Sequence, residues 1–198
     1  MRVLDVGFGA GELARRVRDR CSYLAGIELD AEAAAASASL FDRCVARDIL
    51  ESLSTTDESP FDVVVVGDVL EHLVDPGAVL ERLRPLVRSD GRLLVSLPNV
   101  ANVTVRLSLL AGRFEYAPRG ILDETHVRFF TRKTGRRLLE SHGFRVLSET
   151  ATAMPLELAL PVLGRPPLAP VARGAAIAAA RLLPGLFGYQ FVWEGAVA

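Results

Sequence analysis

Four acidic residues stand where strand-like runs give out: Asp5, Glu28, Asp48 and Asp68. Between Asp5 and the next helix-like stretch lies Gly7-Phe8-Gly9-Ala10-Gly11, a turn whose glycines tolerate positive φ and let the backbone press against a ligand. A carboxylate at position 5 suits a cofactor carrying an amine and a sulfonium better than one carrying a pyrophosphate. Glu28, 17 positions past Gly11, is placed to accept from both ribose hydroxyls of an adenosine. Asp48, in Ala46-Arg47-Asp48-Ile49-Leu50, is placed to accept from an adenine amino group. Any one of these carboxylates alone reads more naturally as a helix cap or a solvated turn. Four in register with strand ends form a set.

Two histidines are candidate proton acceptors. His72 lies four residues past Asp68, and His126 lies in a segment expected to fold over the same rim. Imidazole titrates near neutral pH, so either suits general-base work. Structural duties compete with that reading: His72 can bond a loop or shape the pocket, and His126 can pair with Asp123. His142, just before Gly143 at a helix end, is expected to interact with the helix dipole and takes no catalytic role. Cys21 and Cys44 show neither metal-ligand spacing nor a disulfide framework, and read as small buried hydrophobes. No metal is expected.

The elements that must hold these residues alternate between strand and helix. Met1–Val6, Ser22–Glu28, Arg43–Ala46, Phe61–Val66 and Arg92–Leu97 read as strands, the fourth apolar apart from Asp62, as a strand buried on both faces should be. Helices are expected from Gly11 to about Arg20, from Ala31 (capped by Asp30) to about Phe41, and from Asp75-Pro76 onward. Glu51–Pro60 reads as an exposed connection, and Ser89-Asp90-Gly91 as the turn into the fifth strand. Val100–Leu110 is helical, Thr131 caps a helix from Arg132 to about His142, and Phe144–Ser148 and Tyr189–Trp193 are the last two strands. The expected fold is α/β: a Rossmann-like, doubly wound, mostly parallel seven-stranded sheet with an antiparallel last strand, in three αβα layers.

The 198 residues fit a single domain spanning 1–198, and 50% apolar content supports a sizeable core. A formal charge of −1 gives no bulk attraction to nucleic acid, so no nucleic-acid partner is expected. Neither a signal peptide nor an uninterrupted membrane span is visible, which makes the cytoplasm the expected location. Residues 99–130 read as a substrate lid; they carry Asn99, Asn102, Arg106, Arg113, Tyr116 and Arg128, which suit an anionic acceptor or equally a solvated surface. Residues 151–188 read as an apolar Pro/Ala-rich cap. Within them, Leu168–Leu183 is a helix of that cap or of a homodimer contact, with a lipid-touching helix the less favoured alternative.

In combination these motifs resemble class I S-adenosylmethionine-dependent methyltransferases. Val3-Leu4-Asp5-Val6-Gly7-Phe8-Gly9-Ala10-Gly11 is similar to their first motif and Gly26-Ile27-Glu28-Leu29-Asp30 to their second. Phe61-Asp62-Val63-Val64 with Asp68-Val69-Leu70-Glu71-His72-Leu73 resembles the fourth-strand motif, and Asp90-Gly91-Arg92-Leu93-Leu94-Val95 the fifth. The likeness covers about residues 1–150. Glu71–Pro76 and Leu122–Thr131 resemble the branch with methionine-biosynthesis-type and glycan-cluster methyltransferases. The resemblance implies S-adenosyl-L-methionine as cofactor, with S-adenosyl-L-homocysteine as product. Asp5 and the Gly7–Gly11 turn, Phe8 and Gly9 included, would hold its methionine moiety. Glu28 would take the ribose, Leu29 would flank the adenine, Asp48 would bind its amino group with Ile49 stacking, and Asp68 would line the methionine end. The family ordinarily carries a helix and a leader before the first strand. A strand starting at Met1 implies a start set too late, or a more open site with weaker cofactor affinity.

The expected activity is methyl transfer to an O or N atom of a small-molecule or glycan-type acceptor. A nicotinamide-dependent oxidoreductase or epimerase shares the glycine turn and Glu28. It needs a third glycine where Glu12 or Ala14 stands, lacks a Tyr-x-x-x-Lys arrangement and leaves Asp48 unexplained. A non-catalytic S-adenosylmethionine-binding subunit is the other alternative.

Overall fold

Strand β1 (Arg2–Val6) shows how the sheet is wound: Val3 packs into one apolar cluster with Ala14 and Leu24, while Leu4 and Val6 belong to another on the opposite face. Alternating side chains emerge on opposite faces, so a strand covered on both sides must be apolar at successive positions. The computed structural model describes residues 1–54, 59–154 and 168–198. In chain order, β1 is followed by α1 (Glu12–Val17), β2 (Tyr23–Glu28), α2 (Ala31–Ser37), β3 (Arg43–Ala46), α3 (Ile49–Ser54) and β4 (Phe61–Gly67). Then come α4 (Pro76–Leu83), β5 (Val87–Pro98), α5 (Val103–Leu110), α6 (Arg132–Ser141), β6 (Phe144–Ala153), α7 (Leu168–Leu182), α8 (Pro184–Phe187) and β7 (Gly188–Val197).

The seven strands lie in the order β3-β2-β1-β4-β5-β7-β6. The first five pair in parallel, and β7 inserts antiparallel between β5 and β6. Strand order therefore reverses between β1 and β4, the position where open α/β sheets leave a crevice at their carboxyl ends. Helix starts follow the sequence. Asp30 accepts from the Glu32 and Ala33 amides, Asp75 from Ala78 at 3.1 Å, and Thr131 forms a capping box with Thr134.

Several sequence expectations are corrected. α3 occupies the start of the segment read as an exposed connection, of which 55–58 lie outside the described residues. Ser89-Asp90-Gly91 is not a separate turn but an irregular stretch inside β5, where the register with β4 shifts. β6 continues to Ala153, so the expected cap begins inside a strand; its 155–167 stretch lies outside the described residues, and α7 packs on β6 and β7. Cys21 and Cys44 are half-buried free thiols rather than buried ones. The His142 ring sits against Gly77 and its Nδ1 lies 2.7 Å from the Leu138 carbonyl oxygen. It fastens α6 to α4. No described helix is long and apolar enough to cross a membrane.

Candidate active site

The reversal point holds a cavity of about 320 Å³, and its wall is drawn from the carboxyl ends of four adjacent strands. Val6 and Gly7 lie at the end of β1, Ile27, Glu28 and Leu29 at the end of β2, Arg47 and Asp48 just past β3 with Ile49 opening α3, and Asp68 and Val69 just past β4, with His72 and Leu73 beyond. Gly7, Glu28, Leu29, Asp48, Ile49, Asp68 and His72 of the sequence-derived set thus share one cavity.

The glycine turn is shaped by what surrounds it. Gly7 has φ +70°, and a Cβ there would lie 2.2 Å from Val69 Cγ2, so only glycine lets the turn and Val69 share the cavity floor. A Cβ on Gly9 would meet nothing within 4 Å, which leaves open space above the turn. The Gly9 amide donates to Glu28 Oε2 at 2.7 Å, while Glu28 Oε1 accepts from the Leu29 and Asp30 amides at 2.8 and 3.0 Å. Three backbone donors therefore fix the Glu28 carboxylate, and one acceptor site, on Oε2, stays available to a ligand. Gly11, at φ +74°, is the N-cap of α1.

Asp5, Phe8, Gly9 and Gly11 of the expected set do not line the cavity. Asp5 is buried beneath the turn, on the Val3 face of β1, with Oδ2 lacking a hydrogen-bond partner among the described residues. Burial, and secondarily the nearby Glu28, pushes its pKa up to about 7. Phe8 contributes only backbone to the turn: its ring packs 4.4 Å from that of Phe41 and over Gly26. Asp48 is a helix cap after all, Oδ1 accepting from the Leu50 and Glu51 amides, yet it also faces the cavity. Leu29 stands 71% exposed at the cavity mouth while Ile49 is buried, a pair of apolar surfaces suited to a flat ring.

A second cavity of about 280 Å³ adjoins the first and shares Asp68 and His72 with it. Glu71, Pro98, Gly120, Asp123, His126, Tyr189 and Gln190 complete its wall. Asp68 is the one described non-glycine residue with positive φ, at 54°, a strained conformation of the kind functional sites retain. Ser96 Oγ donates to its Oδ1 at 3.1 Å and Gln190 donates to the same oxygen.

The segment 99–130 leaves and rejoins the sheet at one place, because Asn99 bridges Phe130. It is pinned over the second cavity by the Val127 and Arg128 amides, both donating to the Glu71 carbonyl at 3.0 Å, and by Arg128 Nε donating to the Val74 carbonyl at 3.0 Å. Asn99 and Asn102, considered as acceptor contacts, are buried instead, and each donates to the Gly188 carbonyl at 2.9 Å. His72 and His126 are brought together, their ring centroids 4.8 Å apart. His126 does not pair with the Asp123 carboxylate, which is taken by Thr125. Burial lowers the His126 pKa, and burial first of all pushes Glu71 up to about 8.

Sequence reasoning missed Glu71, Val69, Tyr189 and Gln190 as wall residues. For Glu71 the signal was its place beside His72 after β4; for the β7 pair no local pattern points at a site.

This sheet order, with its cavity at the reversal point, defines a Rossmann-like fold of the class I methyltransferase type. The chain belongs to the methyltransferase-domain family, whose match covers residues 1–149. A tRNA 5-carboxymethoxyuridine methyltransferase of Escherichia coli O157:H7 is 27% identical over 173 residues, 75% of this chain and 64% of the relative. A ubiquinone biosynthesis O-methyltransferase of Aeromonas salmonicida is 29% identical over 153 residues, 73% of this chain and 63% of the relative. The chain thus spans a little under two thirds of each. The crystal structure of a SAM-dependent methyltransferase from Archaeoglobus fulgidus superposes with a TM-score of 0.68 at 19% identity, covering 98% of this chain and 85% of that one.

Proposed function

We propose that this chain is an S-adenosylmethionine-dependent methyltransferase that methylates an O or N atom of an acceptor held in the second cavity. The observation that carries the reading is the convergence of Glu28, Asp48 and Asp68 on one cavity, with Asp5 buried beneath its floor. The residues fit such a cofactor. Glu28 Oε2 has a lone pair left for a ribose hydroxyl, Leu29 and Ile49 offer apolar faces for an adenine, and Asp48 has its second oxygen for the amino group. Open space above Gly9, the orphaned Asp5 oxygen and Asp68 suit the cationic methionine end.

When bound, S-adenosylmethionine supplies an electrophilic methyl on a sulfonium that leaves as a neutral thioether. The protein's share is alignment and exclusion of water. Asp68 and His72, common to both cavities, mark the path between them. Segment 99–130 covers the acceptor side as a lid. Where the acceptor loses a proton, an imidazole nitrogen of His72 or His126 receives it.

A small-molecule acceptor is favoured by the modest size of the second cavity and by the similarity to a ubiquinone-pathway O-methyltransferase. Similarity to a tRNA-modifying enzyme supports a second reading, a modified nucleoside in RNA. Calorimetry with S-adenosylhomocysteine and NAD tests the cofactor: binding of NAD alone overturns the proposal. Incubation with methyl-tritiated cofactor and cell extract then separates the acceptors. Label is expected in the low-mass fraction; label in RNA selects the second reading, and cofactor binding without any transfer selects a non-catalytic subunit.

A further inference from the structure

Three lone-pair donors from two distant parts of the chain converge on the wall of the second cavity. Glu71 and His72 follow β4, His126 comes from segment 99–130, and one ligand atom from each lies within 4.8 Å of the other two. The hydrogen bonds around them decide which atoms are bare. His126 Nδ1 lies 3.1 Å from the Ile121 carbonyl oxygen. A carbonyl only accepts, so Nδ1 carries the proton and Nε2 keeps its lone pair, 4.0 Å from Glu71 Oε1.

His72 is oriented by the same logic. Its Nδ1 lies 3.2 Å from the Thr125 carbonyl oxygen and 3.1 Å from Thr125 Oγ1, whose own proton goes to Asp123 Oδ1 at 2.6 Å. Nδ1 is again the protonated nitrogen, which leaves Nε2 free. Glu71 is 1% exposed, and both its carboxylate oxygens lack a hydrogen-bond partner among the described residues. A buried polar group left unmet is destabilising, so something must compensate for it.

We propose that Glu71, His72 and His126 form a binding site for a divalent transition-metal ion of borderline softness, such as zinc or cobalt. Two imidazoles and one carboxylate make the donor set these ions prefer, and three protein ligands leave positions open toward the cavity. The Ile121 carbonyl and the Thr125–Asp123 pair are the outer partners that hold such imidazoles in the right tautomer. Ligands about 2.1 Å from a tetrahedral ion stand about 3.4 Å apart. Loading therefore draws Glu71 Oε1 and His126 Nε2 inward from 4.0 Å, and exposed His72 is free to follow.

With the ion bound, both histidines act as ligands rather than bases. A hydroxyl that takes an open position gives up its proton to solvent more readily, because the cation stabilises the resulting oxyanion. That last role rests on the methyltransferase reading. Uptake of the ion does not.

The test is a Co²⁺ titration of the chelator-treated protein, followed by visible absorption and by calorimetry. One equivalent with ligand-field bands is expected. Glu71→Gln and His126→Gln should each weaken uptake more than about 100-fold, beyond what loss of an outer partner costs. His142→Gln, remote from the cluster, should bind as the parent does. No uptake by the parent protein, or equal uptake by Glu71→Gln and His126→Gln, overturns the site. Circular dichroism guards against misfolding; should His126→Gln unfold, the nearly isosteric Glu71→Gln decides. S-adenosylhomocysteine binding to the ion-free protein is measured in parallel, so that failure of the metal site and failure of the cofactor reading are told apart.

Discussion

The Glu28 carboxylate is tied to the glycine turn: its Oε2 accepts from the Gly9 amide at 2.7 Å, across the gap between β2 and the loop after β1. That bond couples the residue proposed to hold ribose to the turn proposed to hold the methionine end. Glu28→Ala removes both the ligand contacts and the latch. With charged hydrogen bonds worth roughly 1.5–3 kcal/mol, S-adenosylhomocysteine should bind about 10- to 100-fold more weakly. The fold should stay intact, with a modestly lowered thermal midpoint because three amides lose their acceptor. Unchanged affinity by calorimetry removes Glu28 from the site.

A pH dependence of cofactor binding is predicted from Asp5. Burial, then Glu28, raises its pKa from the ordinary 3.8 to about 7. An acid with a raised folded-state pKa binds its proton more tightly folded than unfolded. Its stabilising contribution is therefore complete below about pH 4 and is lost as pH rises toward 7. A cationic ligand above it favours the ionised form, so binding should expel a proton. Affinity should rise with pH by at most about one decade per unit until near 7, then level off. Asp5→Asn should flatten that profile. A slope unchanged in the variant, measured by calorimetry in buffers of different ionisation enthalpy, contradicts the assignment.

Gly7 is predicted to be irreplaceable for a packing reason as well as a conformational one. In Gly7→Ala the new methyl, 2.2 Å from Val69 Cγ2, must push that side chain into the cavity both residues line. Positive φ adds strain for any L side chain. S-adenosylhomocysteine binding should fall below detection while the protein stays folded. The double variant Gly7→Ala with Val69→Ala should recover part of it, because the smaller neighbour makes room.

The β1–β5 framework was legible in the sequence because strands covered on both faces must be apolar at successive positions, as in Val63–Val66. Asp30, Asp75 and Thr131 announced their helices for an equally local reason: short polar side chains meet the free amides of the next turn. β6 and β7 were underestimated because their pairing is antiparallel and β6 lies at the sheet edge, so Ser148, Glu149, Thr150 and Thr152 sit within strand without an apolar pattern. Phe8 read as a cofactor contact because it lies inside the glycine motif, and only packing against Phe41 shows where its ring goes. The nearness of Glu71 to His126 is a tertiary fact. No local spacing encodes a pair joined by the packing of segment 99–130.

The anchoring of segment 99–130 makes its own prediction. Arg128 donates to the Val74 carbonyl, and the amides of Val127 and Arg128 share the Glu71 carbonyl. Arg128→Ala removes the side-chain half of that anchor and leaves the backbone half. Hydrogen exchange should speed up across 123–130, by about tenfold if one charged hydrogen bond of roughly 1.5 kcal/mol is lost. Binding of S-adenosylhomocysteine in the first cavity should be nearly unaffected. Equal exchange in variant and parent means that Arg128 does not anchor the segment.

Gly135 tests the packing that carries the acceptor wall. A Cβ at this position of α6 would lie 2.4 Å from Trp193 Cη2, and the indole Nε1 donates to Glu149 Oε2 at 2.7 Å. Trp193 is fully buried in β7, the strand that also supplies Tyr189 and Gln190 to the second cavity. Gly135→Ala forces either the helix outward or the indole off its hydrogen bond, although alanine is the better helix former by about 1 kcal/mol. Overpacking of this kind costs typically 1–3 kcal/mol, enough to outweigh the propensity gain. The thermal midpoint should fall by several degrees, accompanied by a changed tryptophan emission, since Trp193 is the chain's only tryptophan. A raised midpoint with unchanged emission would mean that the helix and β7 separate more easily than the contact implies.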